Sequence, residues 1–263
     1  PYFNGAGVLP KEDAMALDNF GPSTSTGEIV IAVPRLPRIS NFDDLDPLMA
    51  EADVRVEIVE MGTPIPADAH VILLPGSKAT LADLAALRET GWDIDILAHH
   101  RRGGLVVGLC GGYQMLGRTL SDPDGIEGPA STADGLGLLD VETIMGGSKS
   151  LIETTGVEHL TGEPVQGYEM HIGKTTGTDT VRPWITLEGA RPDGAISKDG
   201  RVMAAYMHGV FASNAFRHAF LSRIKDGRSA ETDYNARVDE ALNGLADHLE
   251  KHMDLDSLLA MAR

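Results

Sequence analysis

From Glu28 onward the chain alternates short, nearly continuous apolar runs with longer stretches of mixed polarity. Ile29-Val30-Ile31-Ala32-Val33, Val54 to Val59, Val71 to Leu74 and Leu105 to Val107 read as strands. Between them, Asp43 to Ala52, which opens on acidic residues, Thr80 to Glu89 and Trp92 to Arg101 carry helical spacing. Strands with no polar face, separated by helices, imply a parallel sheet covered on both sides, so the predicted fold class is α/β, a mostly parallel sheet flanked by helices. In the second half the pattern changes to hairpins. Leu138 to Ile144 and Gly167 to Ile172 read as strands, and Ala195-Ile196-Ser197 pairs with Arg201 to Tyr206 around Lys198-Asp199-Gly200. That second strand runs out to Met207-His208-Gly209-Val210-Phe211. Beyond Asp226 the pattern is helical, with Val238, Leu242, Leu245 and Leu249 at spacings of three and four, a stripe that either caps the core or meets another subunit.

The first ten residues, Pro1 to Pro10, show neither period, and Gly21-Pro22-Ser23-Thr24-Ser25-Thr26-Gly27 reads as a linker of small, turn-forming residues. The expected organisation is a remnant of an upstream domain plus linker over 1–26, an α/β domain over 27–225 and a C-terminal helical extension over 226–263. A formal charge of −17 argues against a nucleic acid or an anionic membrane as partner, since neither would find a basic stripe. One cysteine rules out an internal disulfide, and no stretch approaches the ~20 apolar residues of a membrane span, which together point to a cytoplasmic protein.

That single cysteine, Cys110, follows Leu105-Val106-Val107 within Gly108-Leu109-Cys110-Gly111-Gly112-Tyr113-Gln114. A lone cysteine is more often a small core hydrophobe. Three glycines crowded around it favour a strand-turn-helix elbow instead, in which the thiol is held out at the carboxyl end of a parallel strand and the following helix favours thiolate. A thiolate nucleophile needs a base and an oxyanion hole. Among nine histidines, His208 is the best base because it lies just past a predicted strand end, whereas His99, His100, His218, His248 and His252 fall in predicted helices and read as surface residues. The N–H of Gly111 is one oxyanion donor, and the turn at Gly76-Ser77 is a source of a second. Taken alone, Pro75-Gly76-Ser77-Lys78 reads better as an ordinary strand-to-helix turn. The sequence has no phosphate-binding loop, no dinucleotide fingerprint and no cysteine-based metal site.

The run Gly108 to Gly117 resembles the nucleophile motif of the class I glutamine amidotransferases, in which cysteine attacks the side-chain amide of glutamine. Within that class the chain is similar to the C-terminal glutaminase domain of the cobyric acid synthase branch of the CobB/CobQ-type family, which supplies ammonia for amidating corrin-ring carboxylates. Four more stretches carry the resemblance in order between Gly27 and Phe220: Arg38 to Leu48, Leu74 to Thr80, Gly167 to Gly173 and Tyr206 to Phe211. The resemblance implies a flavodoxin-like fold, Cys110 as the residue that forms the glutamyl thioester, His208 as proton shuttle, and Gly76 and Gly111 as oxyanion-hole donors. It implies that Ser77 and Gln114 help hold the glutamine. Tyr168, Glu169 and His171 become candidates for substrate or interdomain contact, with bracing of their strand as the alternative. It also implies that residues 1–20 are the tail of an ATP-dependent synthetase domain, that ATP and Mg²⁺ are needed only on that domain and no cofactor on this chain, and that the corrin acceptor is reached through it.

One departure stands out. Many class I glutaminases follow the catalytic histidine with Pro and a Glu that orients the imidazole; here Gly209 and Val210 stand in those places. The cobyric acid branch also lacks that Glu, so the orienter of His208 is left open, and a dyad without one is expected to lean on a partner domain for its geometry. Ser40-Asn41-Phe42 favours this branch over the a,c-diamide synthases. The rival readings are a glutaminase subunit that amidates a peptidoglycan lipid precursor, a protease or chaperone of the same elbow, which Gly111 in place of His disfavours, and a silent scaffold that only docks a synthetase.

Overall fold

The computed structural model describes residues 2–9, 27–147, 151–228 and 232–261. The linker reading for 21–26, and most of the upstream-tail reading, lie outside the described residues. In chain order the first half runs β1 (Ile29–Pro34), β2 (Ile39–Ser40), a 3-10 turn at Phe42–Leu45, α1 (Asp46–Met49), β3 (Val54–Val59), β4 (Val71–Leu74), β5 (Gly76–Ser77), α2 (Thr80–Glu89), α3 (Trp92–Arg101), β6 (Leu105–Leu109) and α4 (Gly111–Leu116). The second half adds β7 (Thr119–Asp122), β8 (Ser131–Asp134), β9 (Val141–Ile144), β10 (Ile152–Glu158), β11 (Pro164–Glu169), β12 (Lys174–Gly177), β13 (Ile185–Leu187), β14 (Arg191–Asp193), β15 (Ala195–Ile196), β16 (Val202–Ala205) and β17 (Met207–His208). It closes with α5 (Asn214–Ile224), α6 (Tyr234–His252) and α7 (Leu255–Met261).

The apolar runs assemble into one sheet in the order β15-β16-β6-β4-β1-β3. All its pairings are parallel except the β15–β16 hairpin. Every residue of β1, β4 and β16 is buried, which is why these strands lack a polar alternation. A second, antiparallel sheet, β14-β13-β10-β11-β17, and a smaller one, β12-β9-β7-β8, stand beside the first. β2 and β5 pair briefly, Ser40 opposite Gly76, and bring the Arg38–Leu45 segment over the carboxyl ends of the parallel strands. Active-site loops of α/β sheets gather at that end.

Several elements differ from the pattern-based expectation. The helix predicted over Asp43–Ala52 is a 3-10 turn followed by the single turn of α1: Pro47 fits only the first turn of a helix, and Asn41, at φ 52°, bends the chain sharply before it. His99, read as a surface residue, is buried, with Nε2 3.0 Å from Leu105 O. The helical stripe of α6 does not cap the core. Leu242 and Leu249 remain exposed, and only Tyr234 and Ala241 are buried on this helix. Among the described residues no helix is long and apolar enough to cross a membrane.

Candidate active site

β6 is buried through Leu109 and delivers Cys110 to the sheet's carboxyl end, where the backbone turns to φ 51°, ψ −106° before α4. A non-glycine residue held at positive φ stores strain of roughly 1–3 kcal/mol, and the surroundings must over-determine it. They do so by close packing. A Cβ on Gly112 would stand 2.2 Å from Leu74 O, and one on Gly111 would stand 2.9 Å from the Ser77 nitrogen, so α4 sits against β4 and β5 only because both are glycine. The Cys110 N–H donates to Ala205 O at 2.8 Å, which ties the elbow to β16. The thiol Sγ lies 3.7 Å from Met170 O.

His208 enters on β17, fully buried. Its Nδ1 is 2.7 Å from Asp44 Oδ2, and the other Asp44 oxygen accepts the Gly209 N–H at 2.5 Å. Asp44 therefore fixes both the ring and the backbone that follows it. Tyr168 lies opposite His208 across β11 and β17 and stacks on the imidazole with centroids 5.3 Å apart and planes at 23°. The Tyr168 hydroxyl accepts from Asn41 Nδ2 at 2.8 Å. With Nδ1 held by a carboxylate, Nε2 is the nitrogen free to exchange a proton. It faces Cys110 without a formed hydrogen bond, the only buried side-chain polar atom without a partner among the described residues. Burial disfavours the imidazolium, but the Asp44 charge and hydrogen bond, helped by Cys110, raise the His208 pKa to about 10.

In front of Cys110 opens a cavity of about 290 Å³ lined by Ser40, Asn41, Lys78, Glu127, Met170 and His171 among others. A buried cysteine facing the free nitrogen of a carboxylate-held histidine, beside such a cavity, can attack a small electrophilic carbonyl and return a proton to its leaving group. Against this geometry, the family profile of CobB/CobQ-like glutamine amidotransferase domains matches residues 30–216, most of the chain.

The chain belongs to that family.

Relatives and neighbours agree with this glutamine amidotransferase domain. It is 53% identical over all 263 residues to the cobyric acid synthase of Bradyrhizobium diazoefficiens and covers 54% of that protein. It is 54% identical to a cobyric acid synthase of Rhodobacter capsulatus, again over its whole length and 54% of the relative. The domain thus spans about half the length of the curated relatives it matches. Among solved structures, PurLQS from Thermotoga maritima superposes with a TM-score of 0.54 at 18% identity, over 82% of this chain and 99% of that one. A glutamine amidotransferase crystal structure gives 0.51 at 16%, over 74% and 97%. At such identities the likeness is one of fold: the α/β class read from the apolar runs is the class I amidotransferase fold.

The amidotransferase domain brings most of the sequence-predicted residues together, though not always in the expected manner. Cys110, His208, Gly76 and Gly111 converge: a Cβ on Gly76 would lie 3.2 Å from His208 Cε1. Ser77 reaches the cavity, but its hydroxyl donates to Asp83 Oδ2 at 2.6 Å and accepts from the Ala79 N–H, so it is committed to the turn rather than to a substrate. Gln114 is likewise engaged at both ends, accepting from Thr80 Oγ1 at 3.2 Å and donating to Ile172 O at 2.9 Å and to the Tyr206 hydroxyl at 3.3 Å. It is a wall of the cavity. Tyr168 packs on His208, and His171 lines the cavity while stacking on Tyr206 at 3.7 Å; burial lowers the His171 pKa and keeps it neutral. Of the two alternatives open for Glu169, bracing fits better than substrate contact. Strand alternation puts it on the face of β11 opposite Tyr168, where it takes a 2.7 Å ion pair from Arg191 and does not line the cavity.

Two carboxylates were missed from sequence. Asp44 supplies the orienter that Gly209 and Val210 could not, and the third member that the sequence left open lies within this chain. Glu127 lines the cavity and accepts from the Thr80 N–H at 2.5 Å, while Asp122 holds the Ile126 and Glu127 amides at 2.9 Å each. Burial raises the Glu127 pKa. Among the described residues no cluster of three or more His, Cys, Asp or Glu could hold a metal ion.

Proposed function

We propose that this chain hydrolyses glutamine to glutamate and ammonia, with Cys110 as nucleophile and His208 as proton shuttle. The observation that carries the reading is the line Cys110–His208–Asp44, with an unpartnered Nε2 turned toward the sulfur. The Cys110 thiolate attacks the glutamine Cδ, forming a C–S bond and a tetrahedral oxyanion stabilised by backbone N–H groups at Gly111 and the Gly76–Ser77 turn. A His208 protonated on both nitrogens, as its raised pKa favours, gives its Nε2 proton to the departing amine. Ammonia leaves and a glutamyl thioester remains. His208 then takes a proton from water, the hydroxide attacks the thioester, and the C–S bond breaks to release glutamate and restore the thiolate–imidazolium pair.

The α-ammonium of glutamine is assigned to Glu127, whose burial disfavours its charge until a cation arrives. Glu127→Gln is therefore expected to raise the KM for glutamine by about tenfold, the worth of one charge-assisted hydrogen bond, with kcat within about threefold. Initial-rate kinetics of glutamate release check this, and a loss in kcat at unchanged KM would move Glu127 out of the substrate site.

The relatives' name and double length support a larger reading, in which the ammonia passes to a second domain of the longer protein for amidation of corrin-ring carboxylates in a cytoplasmic enzyme. ATP and Mg²⁺ belong to that second domain in this reading, and no step through them is assigned to residues of this chain. The test is glutamate release from glutamine by this chain and by Cys110→Ser. Turnover abolished by the substitution supports the glutaminase. Silence of the parent, persisting when the full-length protein is assayed with ATP and a corrin acceptor, would sink it in favour of a docking scaffold.

A further inference from the structure

The chain passes between its two main sheets twice at one place. It leaves the antiparallel sheet at Asp193, the last residue of β14, and enters the parallel sheet at Ala195 as β15. It returns at Tyr206, between β16 of the parallel sheet and β17, which carries His208. The two passages touch backbone to backbone, for a Cβ on Gly194, which sits at φ +74°, would fall 1.8 Å from Ala204 O.

Asp193 clasps this crossing. It is 5% exposed, and its carboxylate accepts the Tyr206 N–H at 3.1 and 3.2 Å and the Met207 N–H at 3.0 Å. Those two amides belong to the residues immediately before His208. β17 is only two residues long, with Glu169 opposite Met207 and Tyr168 opposite His208, so its ladder alone is a weak constraint.

We propose that Asp193 is a positioning residue for glutamine hydrolysis, holding the sheet crossing so that His208 faces Cys110 and Tyr206 supports Gln114. The proposal rests on the reading of Cys110 and His208 as the reacting pair. Three observations bear it out. The Tyr206 hydroxyl bonds both Gln114 Nε2 and Thr175 Oγ1, so the residue clasped by Asp193 through its backbone builds the cavity wall through its side chain. Among the described residues no cation is bonded to Asp193. Of the charged and titratable groups around it, Glu169 on β11 repels it, Arg191 on its own strand is bonded to Glu169, and Tyr113 on α4 and Tyr206 are phenols kept neutral by burial. Finally, the group is retained against stability. Burial pushes its pKa up to about 6, above the unfolded value near 3.8, so its contribution is fully present below ~3.8 and is lost as pH rises through about 6. A buried carboxylate kept ionised at neutral pH on backbone amides alone serves geometry.

Asp193→Asn keeps one acceptor but turns an amide NH2 against the same N–H groups. Its kcat for glutamine hydrolysis is expected to fall roughly tenfold or more, with KM within about threefold, while far-UV circular dichroism and cooperative melting remain. The parent should lose kcat as pH falls through about 6, and this limb should flatten in Asp193→Asn. A readout independent of turnover is the low-field Nδ1–H proton resonance of His208, held by Asp44; it should move in Asp193→Asn. Where that variant fails to fold, the same resonance in the unaltered chain should move with a midpoint near pH 6. Unchanged kcat in a folded variant, or a resonance indifferent to both the substitution and pH 5–8, overturns the proposal. Activity surviving in Cys110→Ser would instead overturn the catalytic reading beneath it.

Discussion

Asp44→Asn lowers kcat for glutamine hydrolysis by roughly 10³–10⁴, the loss found when a triad carboxylate is replaced by its amide. The reason lies in two hydrogen bonds made by one side chain. Asp44 accepts from His208 Nδ1 at 2.7 Å and from the Gly209 N–H at 2.5 Å, so both of its oxygens face donors. An asparagine can satisfy only one. If its carbonyl faces Nδ1, its NH2 meets the Gly209 N–H, donor against donor. If it flips, the NH2 forces Nδ1 to become an acceptor and puts the proton of neutral imidazole on Nε2, where it cannot accept one from Cys110 or water. In either orientation the charge that sustains the imidazolium is gone, and burial, opposed by Cys110 without Asp44, brings the His208 pKa down.

The same substitution has a signature in stability. His208 has a folded-state pKa raised from 6.5 to about 10, so its contribution is fully present below pH 6.5 and is lost as pH rises toward 10. The unaltered chain should therefore lose unfolding free energy across that window, and Asp44→Asn should lose much less. Steady-state kinetics together with denaturant unfolding at pH 6.5, 8 and 9.5 measure both. A folded Asp44→Asn chain with kcat within tenfold of the parent would remove Asp44 from the catalytic line.

The reach of sequence reasoning here follows from the range of the interactions involved. α2 and α3 were legible to the residue because their signals are local, and the Cys110 elbow was legible because its glycines are neighbours in sequence. What forces those glycines, Leu74 O and the Ser77 nitrogen, lies over thirty residues away, yet its mark on the sequence is adjacent to Cys110. Asp44 left no such mark. It stands among Asp43 and Asp46 in a segment that looks like the acidic opening of a helix, and its partner is 164 residues distant. Glu169 was left undecided for the opposite reason. Its motif is adjacent to the site, but period-two alternation sends every second side chain of β11 to the other face, and sequence alone does not say which. Gln114 and Ser77 were found at the site as expected, yet their hydrogen-bonding capacity is taken by Thr80, Ile172, Tyr206 and Asp83, a matter that only packing decides.

Arg217→Ala destabilises the chain by about 3–5 kcal/mol, the range seen when one partner of a buried ion pair is removed. Arg217 on α5 is completely buried, as is the Glu51 side chain that accepts from its Nε at 2.8 Å. Its NH1 donates to Phe211 O at 2.8 Å, and its NH2 donates to Asn214 Oδ1 at 3.0 Å and to Thr232 O. One guanidinium thus joins three stretches of chain: the end of the segment that carries Asp44, the turn just past His208, and the lead-in to α6. Alanine leaves Phe211 O and Thr232 O without these donors and leaves Glu51, among the described residues, with Arg228 at 3.0 Å and a half-buried His218 at 3.2 Å. For a chain of this size each kcal/mol is worth roughly 2–4 °C, so Tm should fall by about 6–20 °C. The double substitution Arg217→Met with Glu51→Leu replaces the pair by apolar volume, and Arg228 keeps both oxygens of Asp53, at 2.6 and 2.7 Å. It should recover more than half of the loss, because buried ion pairs rarely exceed well-packed hydrophobes in stability. Recovered stability without recovered kcat would show that the ion pair sets the approach of Asp44 to His208, whereas a Tm within about 3 °C of the parent for Arg217→Ala would show that this buried network holds nothing in place.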